Sequence, residues 1–480
     1  MRSRLGNSWV SALGALSLAA WIANPALSAE TDEETLGDKT IDELIVELEK
    51  RGVVTAPGAA EDAPAVSAEA DDEQSELLKE LLAWFDRIDL YGDFRARLVE
   101  GFVYDNDTND ELFADDRSSD PTRDPKDRYR LRYRLRFGVK ADINEYIDTA
   151  FRLATGPDAN SGNQTLGSGV DWDPDDIFVD QAYLTLNPFG DREMAADMEG
   201  HVRFGKMPNP FRSKKGVDIL IFDSDIMPEG LSLNYGFSPC DCLDVNIDLA
   251  YYVINESSGR AADPHFLGSQ IDFTFKPMDD VVFGVSPSHY TYRNLDQSFF
   301  DRGVYAAGGL GSSYGGNAPG GLSNGNHVQV TDVRAWVEYK GVKPWPMLVF
   351  GSYFKNHTAK NTTGFNAGKE DAGWSLGTVM GDKKQNVQMK IAYFVIAANA
   401  TPANFTDSDQ FDGRTNGRGW NFQLVRQIFT NTDFKAELFV SNPLKDDIRG
   451  ATPGGAQSFY REAIRNHDRL RFRFDVQVKW

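Results

Sequence analysis

Cysteine is nearly absent from this chain of 480 residues: there are two, Cys240 and Cys242, in a Ser-Pro-Cys-Asp-Cys string. Two are too few for a disulfide framework. Cysteines this close bridge poorly, because the bond needs a specific Cα separation and dihedral. They read as turn cysteines without chemistry, with a local redox pair as the alternative. Histidine is also scarce. The six are dispersed, and none makes a metal-ligand spacing with another. No Gly-x-Ser-x-Gly, Walker or dinucleotide fingerprint occurs. The expectation is therefore no catalytic residues, no metal and no cofactor. Positive charge is in deficit, with 50 Lys and Arg against 72 Asp and Glu and a net charge of −22. That argues against a nucleic-acid partner, since phosphates are contacted chiefly by Lys and Arg. Beyond the N-terminus no apolar run approaches the roughly 20 residues of a membrane helix. A polytopic helical membrane protein is thereby excluded.

What is present first is a leader. Arg2 and Arg4 precede an apolar stretch from Trp9 to Ile22, then small residues up to Ala29. This is a secretory signal over 1–29. Residues 30–86 form an acidic arm, with 18 acidic and 4 basic residues. Within it, Ile41, Leu44, Ile45 and Leu48 predict a short helix over 40–51. Leu77, Leu78, Leu81, Leu82 and Phe85 predict a second over 73–85, and an Ala/Pro-rich linker separates the two. Helices this short need a partner. A self-associating coiled coil, packing on the body of the same chain and disorder are the three options.

From residue 88 a two-residue alternation takes over. Arg128, Arg130, Arg132, Arg134 and Arg136 alternate with Tyr129, Leu131, Tyr133, Leu135 and Phe137. As a strand this sets guanidiniums on one face and large apolar groups on the other. The last segment does the same from Leu470 to Trp480. Sixteen such segments are expected between 89 and 480, joined by alternating long and short connections. Short turns at one end and long loops at the other are the pattern of an outer-membrane barrel. The fold expected for 87–480 is thus all-β, a sixteen-stranded antiparallel transmembrane barrel, with the helical arm and both termini on the periplasmic side. A closed barrel has no edges and satisfies its backbone internally, as hydrocarbon demands. Tyr91, Tyr104, Trp345, Trp374, Trp420 and Trp480 sit near strand ends and suit interfacial girdles.

Several strings give the chain a family likeness. They are Arg134-Leu135-Arg136-Phe137-Gly138, Phe151-Arg152-Leu153-Ala154-Thr155-Gly156, Asn163-Gln164-Thr165-Leu166-Gly167, Asp180-Gln181-Ala182-Tyr183-Leu184, Gly205-Lys206-Met207-Pro208-Asn209-Pro210-Phe211 and Asp223-Ser224-Asp225-Ile226-Met227-Pro228-Glu229-Gly230. With them the chain resembles the Putative porin family of Gram-negative outer membranes. The resemblance implies a channel for passive diffusion of ions and small hydrophilic solutes, with no defined substrate and no catalytic residues. Outer-membrane lipid and lipopolysaccharide are the expected surroundings, and a homo-oligomer, a trimer, is the expected assembly. The terminal strand ending in Trp480 resembles the signal read by the outer-membrane assembly machinery. The alternative function is an adhesin or an envelope-tethering barrel.

A sixteen-stranded barrel leaves an aqueous interior, so selectivity rests on what narrows it. The third long connection, 207–229, carries an apolar run (Val217, Ile219, Leu220, Ile221, Phe222, Ile226) that an ordinary solvated loop does not need. It also carries Lys214, Lys215, Asp218, Asp223, Asp225 and Glu229. The expectation is a loop folded into the lumen, with its acids facing Arg130, Arg132, Arg134 and Arg136 across water. A loop that caps the outside of the barrel is the alternative for the loop, and a ladder that only braces the wall is the alternative for the arginines.

Overall fold

The computed structural model describes residues 87–105, 128–156, 161–168, 172–188, 198–211, 220–256, 263–295, 327–361, 369–413, 415–445 and 467–480. The expected signal sequence, the two expected arm helices and the linker between them fall on residues outside the described ones.

Sixteen long strands follow one another: β1 (Ile88–Asp105), β2 (Arg128–Asn144), β3 (Ile147–Thr155), β4 (Ile177–Leu186), β5 (Met198–Lys206), β6 (Glu229–Cys240), β7 (Leu243–Val253) and β8 (His265–Met278), then β9 (Val281–Arg293), β10 (His327–Tyr339), β11 (Met347–Asn356), β12 (Ala372–Met380), β13 (Gln388–Ile396), β14 (Gly417–Phe429), β15 (Thr432–Pro443) and β16 (His467–Lys479). Each pairs with the next, and β16 returns to β1, so the sheet closes on itself. The closing seam is antiparallel and continuous from Asp93↔Lys479 to Asp105↔His467. At its end Gly92 and Trp480 exchange backbone hydrogen bonds at 3.1 and 3.3 Å. A two-residue strand, Gln164–Thr165, lies in the connection after β3 and pairs with Tyr133 and Arg132. It supplies partners to the part of β2 that extends past the end of the short β3.

The alternation sorts the side chains to two faces. On β10, Val328, Val330, Asp332, Arg334 and Trp336 are buried while Val333, Val337 and Tyr339 are exposed. On β2, Tyr129, Leu131, Leu135 and Phe137 are exposed, whereas Arg134 is buried inside. An apolar outer band around a polar interior is the arrangement a bilayer requires. Trp374, Tyr393 and Trp420 form part of an outward aromatic patch, with ring centroids 5.6 and 4.8 Å apart. Tyr91 does not join a girdle. It shares the inward parity of Asp93, and its hydroxyl lies 3.1 Å from the Gln181 amide.

The cysteine expectation is corrected. Cys240 and Cys242 are joined in a disulfide at the β6–β7 turn. The register shift between Phe237 and Cys240 leaves their Cα atoms 5.3 Å apart, inside the range a disulfide spans.

Candidate functional site: the loops inside the barrel

The third long loop is rooted on two glycines that face each other across β5 and β6, Gly205↔Gly230. Both have positive φ, and a Cβ on either would meet a backbone carbonyl oxygen at 2.3 Å. Only glycine tolerates this geometry, which lets the chain leave the wall and turn inward. Phe211 is then 1% exposed. Its ring lies edge-on to Tyr290 (5.4 Å), Phe266 (5.7 Å) and Tyr252 (6.4 Å) of the inner wall. Gly268 makes room, since a Cβ there would sit 2.4 Å from the Phe211 ring. The guanidinium of Arg334 donates to the Phe211 carbonyl at 2.8 Å. Leu220, Ile221 and Phe222 are buried in the same cluster, and Phe222 packs on Tyr290 at 5.2 Å. Burial of each large apolar side chain contributes about 1.5–3 kcal/mol, so the apolar run holds the loop to the β7–β10 wall.

The opposite side of the loop meets the arginine ladder. Asp225 lies 3.4 Å from Arg134 and 3.8 Å from Arg136, and accepts from the Gly162 N–H at 3.2 Å. Burial would raise the Asp225 carboxyl, but Arg134, Arg136 and Arg95 outweigh burial and hold it below the usual range. The two arginines also share Asp93 of β1, at 2.8 and 2.7 Å. Arg132 donates to the Asn163 carbonyl at 2.8 Å. Arg130 and Arg132 stand near Arg471 of β16. The ladder is therefore both wall brace and lumen lining. Lys214, Lys215 and Asp218 lie outside the described residues.

Two expectations are corrected. Asp223 does not face the ladder. It is 2% exposed and accepts from the backbone N–H groups of Asp225 (2.8 Å) and Ser408 (2.6 Å), because the loop turns back on itself there. Glu229 is not in the constriction either. It shares its face with Leu231, which is exposed on the outer wall, and pairs with Lys206 at 2.6 Å.

Ser408 belongs to the seventh long loop, 397–416, which also folds inward. Two short 3-10 turns shape it, Ala403–Phe405 and Phe411–Gly413. Asp223 N–H donates to the Phe405 carbonyl at 2.9 Å, and Asp407 N–H to the Leu220 carbonyl at 3.1 Å. Phe405 stacks on Tyr292 at 5.5 Å. Asp409 pairs with Arg473 of β16 and lies 3.9 Å from Arg97 of β1. Burial would raise Asp409 too, but Arg473 and Arg97 hold it well below the usual range. Arg97 in turn pairs with Asp475 at 2.7 Å, and Arg473 with Glu437. Sequence reasoning missed this second loop. Its signal is the run of alanines ending in Phe405, the same excess of apolar residues that marks the third loop. Two loops joined by backbone hydrogen bonds thus cross the interior between an aromatic sector and an arginine sector.

The sequence model of the family described as Putative porin matches residues 42–334. No curated protein matches the chain. Among solved structures, OprB of Pseudomonas putida is similar at 10% identity and a TM-score of 0.48, over 88% of this chain and 100% of that one. OmpF of Salmonella typhi, solved with daunomycin, is similar at 14% identity and 0.44, over 81% and 97%. The outer membrane channel DcaP of Acinetobacter baumannii is similar at 12% identity and 0.42, over 82% and 97%.

Proposed function

Because the chain belongs to the Putative porin family, we propose that its barrel is an outer-membrane porin through which ions and small hydrophilic solutes diffuse passively. One observation carries the reading: a closed ring of sixteen strands with an apolar exterior and a charged interior. Sixteen strands enclose more space than their own side chains fill, and the third and seventh loops narrow it. Arg134 and Arg136, paired with Asp225 of the third loop, line the constriction together with Arg130 and Arg132, and in this reading Lys214, Lys215 and Asp218 of the same loop contribute to its charge. An ion passing between low-dielectric walls feels such charges strongly.

In this reading both termini are periplasmic, the long loops face outward, and lipopolysaccharide contacts the outer rim. The acidic arm stays in the periplasm, where its helices associate in a trimer. The assembly machinery reads the last strand, whose terminal Trp480 closes the seam with Gly92.

Solute uptake into liposomes tests the function. Vesicles holding the purified protein should swell in isotonic sugars, fastest for the smallest. Swelling no faster than that of empty vesicles overturns the reading.

A further inference from the structure

A cavity of about 350 Å³ opens on the short-turn side of the third loop. Strands β16, β1 and β2 form its wall, through Arg95, Arg134, Arg136 and Lys479, and the loop covers it with Ser224 and Asp225. Four cationic side chains thus line it against two carboxylates, Asp93 and Asp225. An arginine stays charged at any pH of interest, so the imbalance is permanent.

Arg95 is the member whose own needs are not met. Its side chain is more than nine-tenths buried. It donates through Nη2 to the Asn163 amide oxygen at 2.5 Å. Among the described residues it has no ion pair, and its buried Nε–H has no acceptor. A buried donor of this kind asks for a partner, and a buried charge costs far more than a buried dipole unless it is compensated. Arg97 and Arg134 of like charge stand close to it, and the two carboxylates that also stand close, Asp475 and Asp225, are already paired with Arg97 and with Arg134 and Arg136. Arg134 and Arg136, by contrast, share Asp93 and Asp225.

From this geometry we infer that the cavity is a binding site for a small hydrophilic oxyanion, a carboxylate or a phosphate, held by Arg95 on its way through the channel. The inference rests on the channel reading and names the class of solute that reading left open. Guanidinium forks suit carboxylate and phosphate oxygens, which they meet with paired charge-assisted hydrogen bonds. The Ser224 hydroxyl and Gln477 amide lining the same cavity add neutral donors. No large apolar side chain lines it, so a compact polar anion suits it better than an aromatic one. Opposed charges close by keep the site from becoming a trap, because Asp93 and Asp225 compete for two of the cations. Conduction needs this balance of entry and release.

The test uses the full chain in detergent and in planar bilayers, with succinate and inorganic phosphate as separate probes. Calorimetry should show at least one of the two binding, and the stronger binder tells whether carboxylate or phosphate is the preferred chemistry. Under a KCl gradient the reversal potential should lie on the anion side, and the bound probe should reduce the chloride current. Arg95→Gln should weaken binding at least about ten-fold, the loss of one charge-assisted hydrogen bond. Arg95→Lys keeps the buried charge and therefore the fold, and should weaken binding less. Binding of neither probe, cation preference in the wild type, or unchanged binding in both variants overturns the site. Arg95-dependent binding without any current supports the site while contradicting the channel reading. Current with cation preference and no binding does the reverse.

Discussion

The Asp223 carboxylate accepts a hydrogen bond from the Ser408 backbone N–H at 2.6 Å, which ties the third loop to the seventh across the barrel interior. Burial pushes Asp223 well above the usual carboxylate range, and the neighbouring acids Asp407, Asp225 and Asp409 push it further. A raised value in the folded state means that the folded protein holds a proton the unfolded chain has released. Its contribution is therefore largest at low pH and fades as pH rises through the raised value. Asp225 and Asp409 have the opposite sign. Their ion pairs contribute above the ordinary aspartate value of about 3.9 and are lost only as pH falls through their depressed values. Between these limits, raising the pH should loosen the two-loop contact. Single-channel current noise should grow on the alkaline side in the wild type. In Asp223→Asn it should stay low at every pH. Equal pH dependence in both proteins contradicts the assignment.

Phe211 fastens the other side of the third loop. Phe211→Ala removes a ring from a closed aromatic cluster, and such truncations cost about 3–5 kcal/mol in well-packed interiors. The cost falls on the loop, because the strand ladder does not depend on that ring. The variant barrel should keep its heat-dependent gel shift, while its open-channel current becomes larger and noisier. Gly268→Ala should act in the same direction by crowding Phe211 from below. A current indistinguishable from wild type in both variants contradicts the anchoring role.

Glu229 and Lys206 are predicted to matter little. They form an outward, partly exposed pair, and exposed pairs contribute about 0–1 kcal/mol. Glu229→Gln should leave reversal potential and thermal stability unchanged within that limit. A shift in ion preference returns Glu229 to the constriction.

Orientation is checked by labelling whole cells. Trp172 is 98% exposed at the long-loop end, and Asp279 lies in the tight turn between β8 and β9. An impermeant thiol reagent should label Trp172→Cys and miss Asp279→Cys, with both native cysteines replaced by serine. The reverse pattern inverts the barrel.

Much of this was legible in the residues, and what was not has physical causes. Strands read clearly because inside and outside differ so sharply: on β2, Leu131 meets the bilayer side while Arg132 meets the interior. The inward course of the third loop was legible in Leu220, Ile221 and Phe222, which have no reason to be apolar in water. Partner choice was not legible. Asp93 and Asp225 bind the same two arginines, though one lies 41 residues before Arg134 and the other 91 after it. Asp223, two positions from Asp225, points the other way because the loop turns between them. Charge type alone does not encode that turn. The Arg97–Asp475 pair spans 378 residues and exists only because the sheet closes. The disulfide was missed for a local reason, the register shift at the β6–β7 turn that brings Cys240 and Cys242 to bridging distance.

The claim that most needs a direct test is that this barrel is an open channel narrowed by two loops. Purified, heat-modifiable protein should be added to a planar bilayer and single events recorded in symmetric KCl. The account predicts discrete, stable, stepwise currents that scale linearly with voltage, and a larger unit conductance when the loop contact is loosened by Phe211→Ala. A folded barrel that inserts and passes no current, in the wild type and in that variant alike, contradicts it.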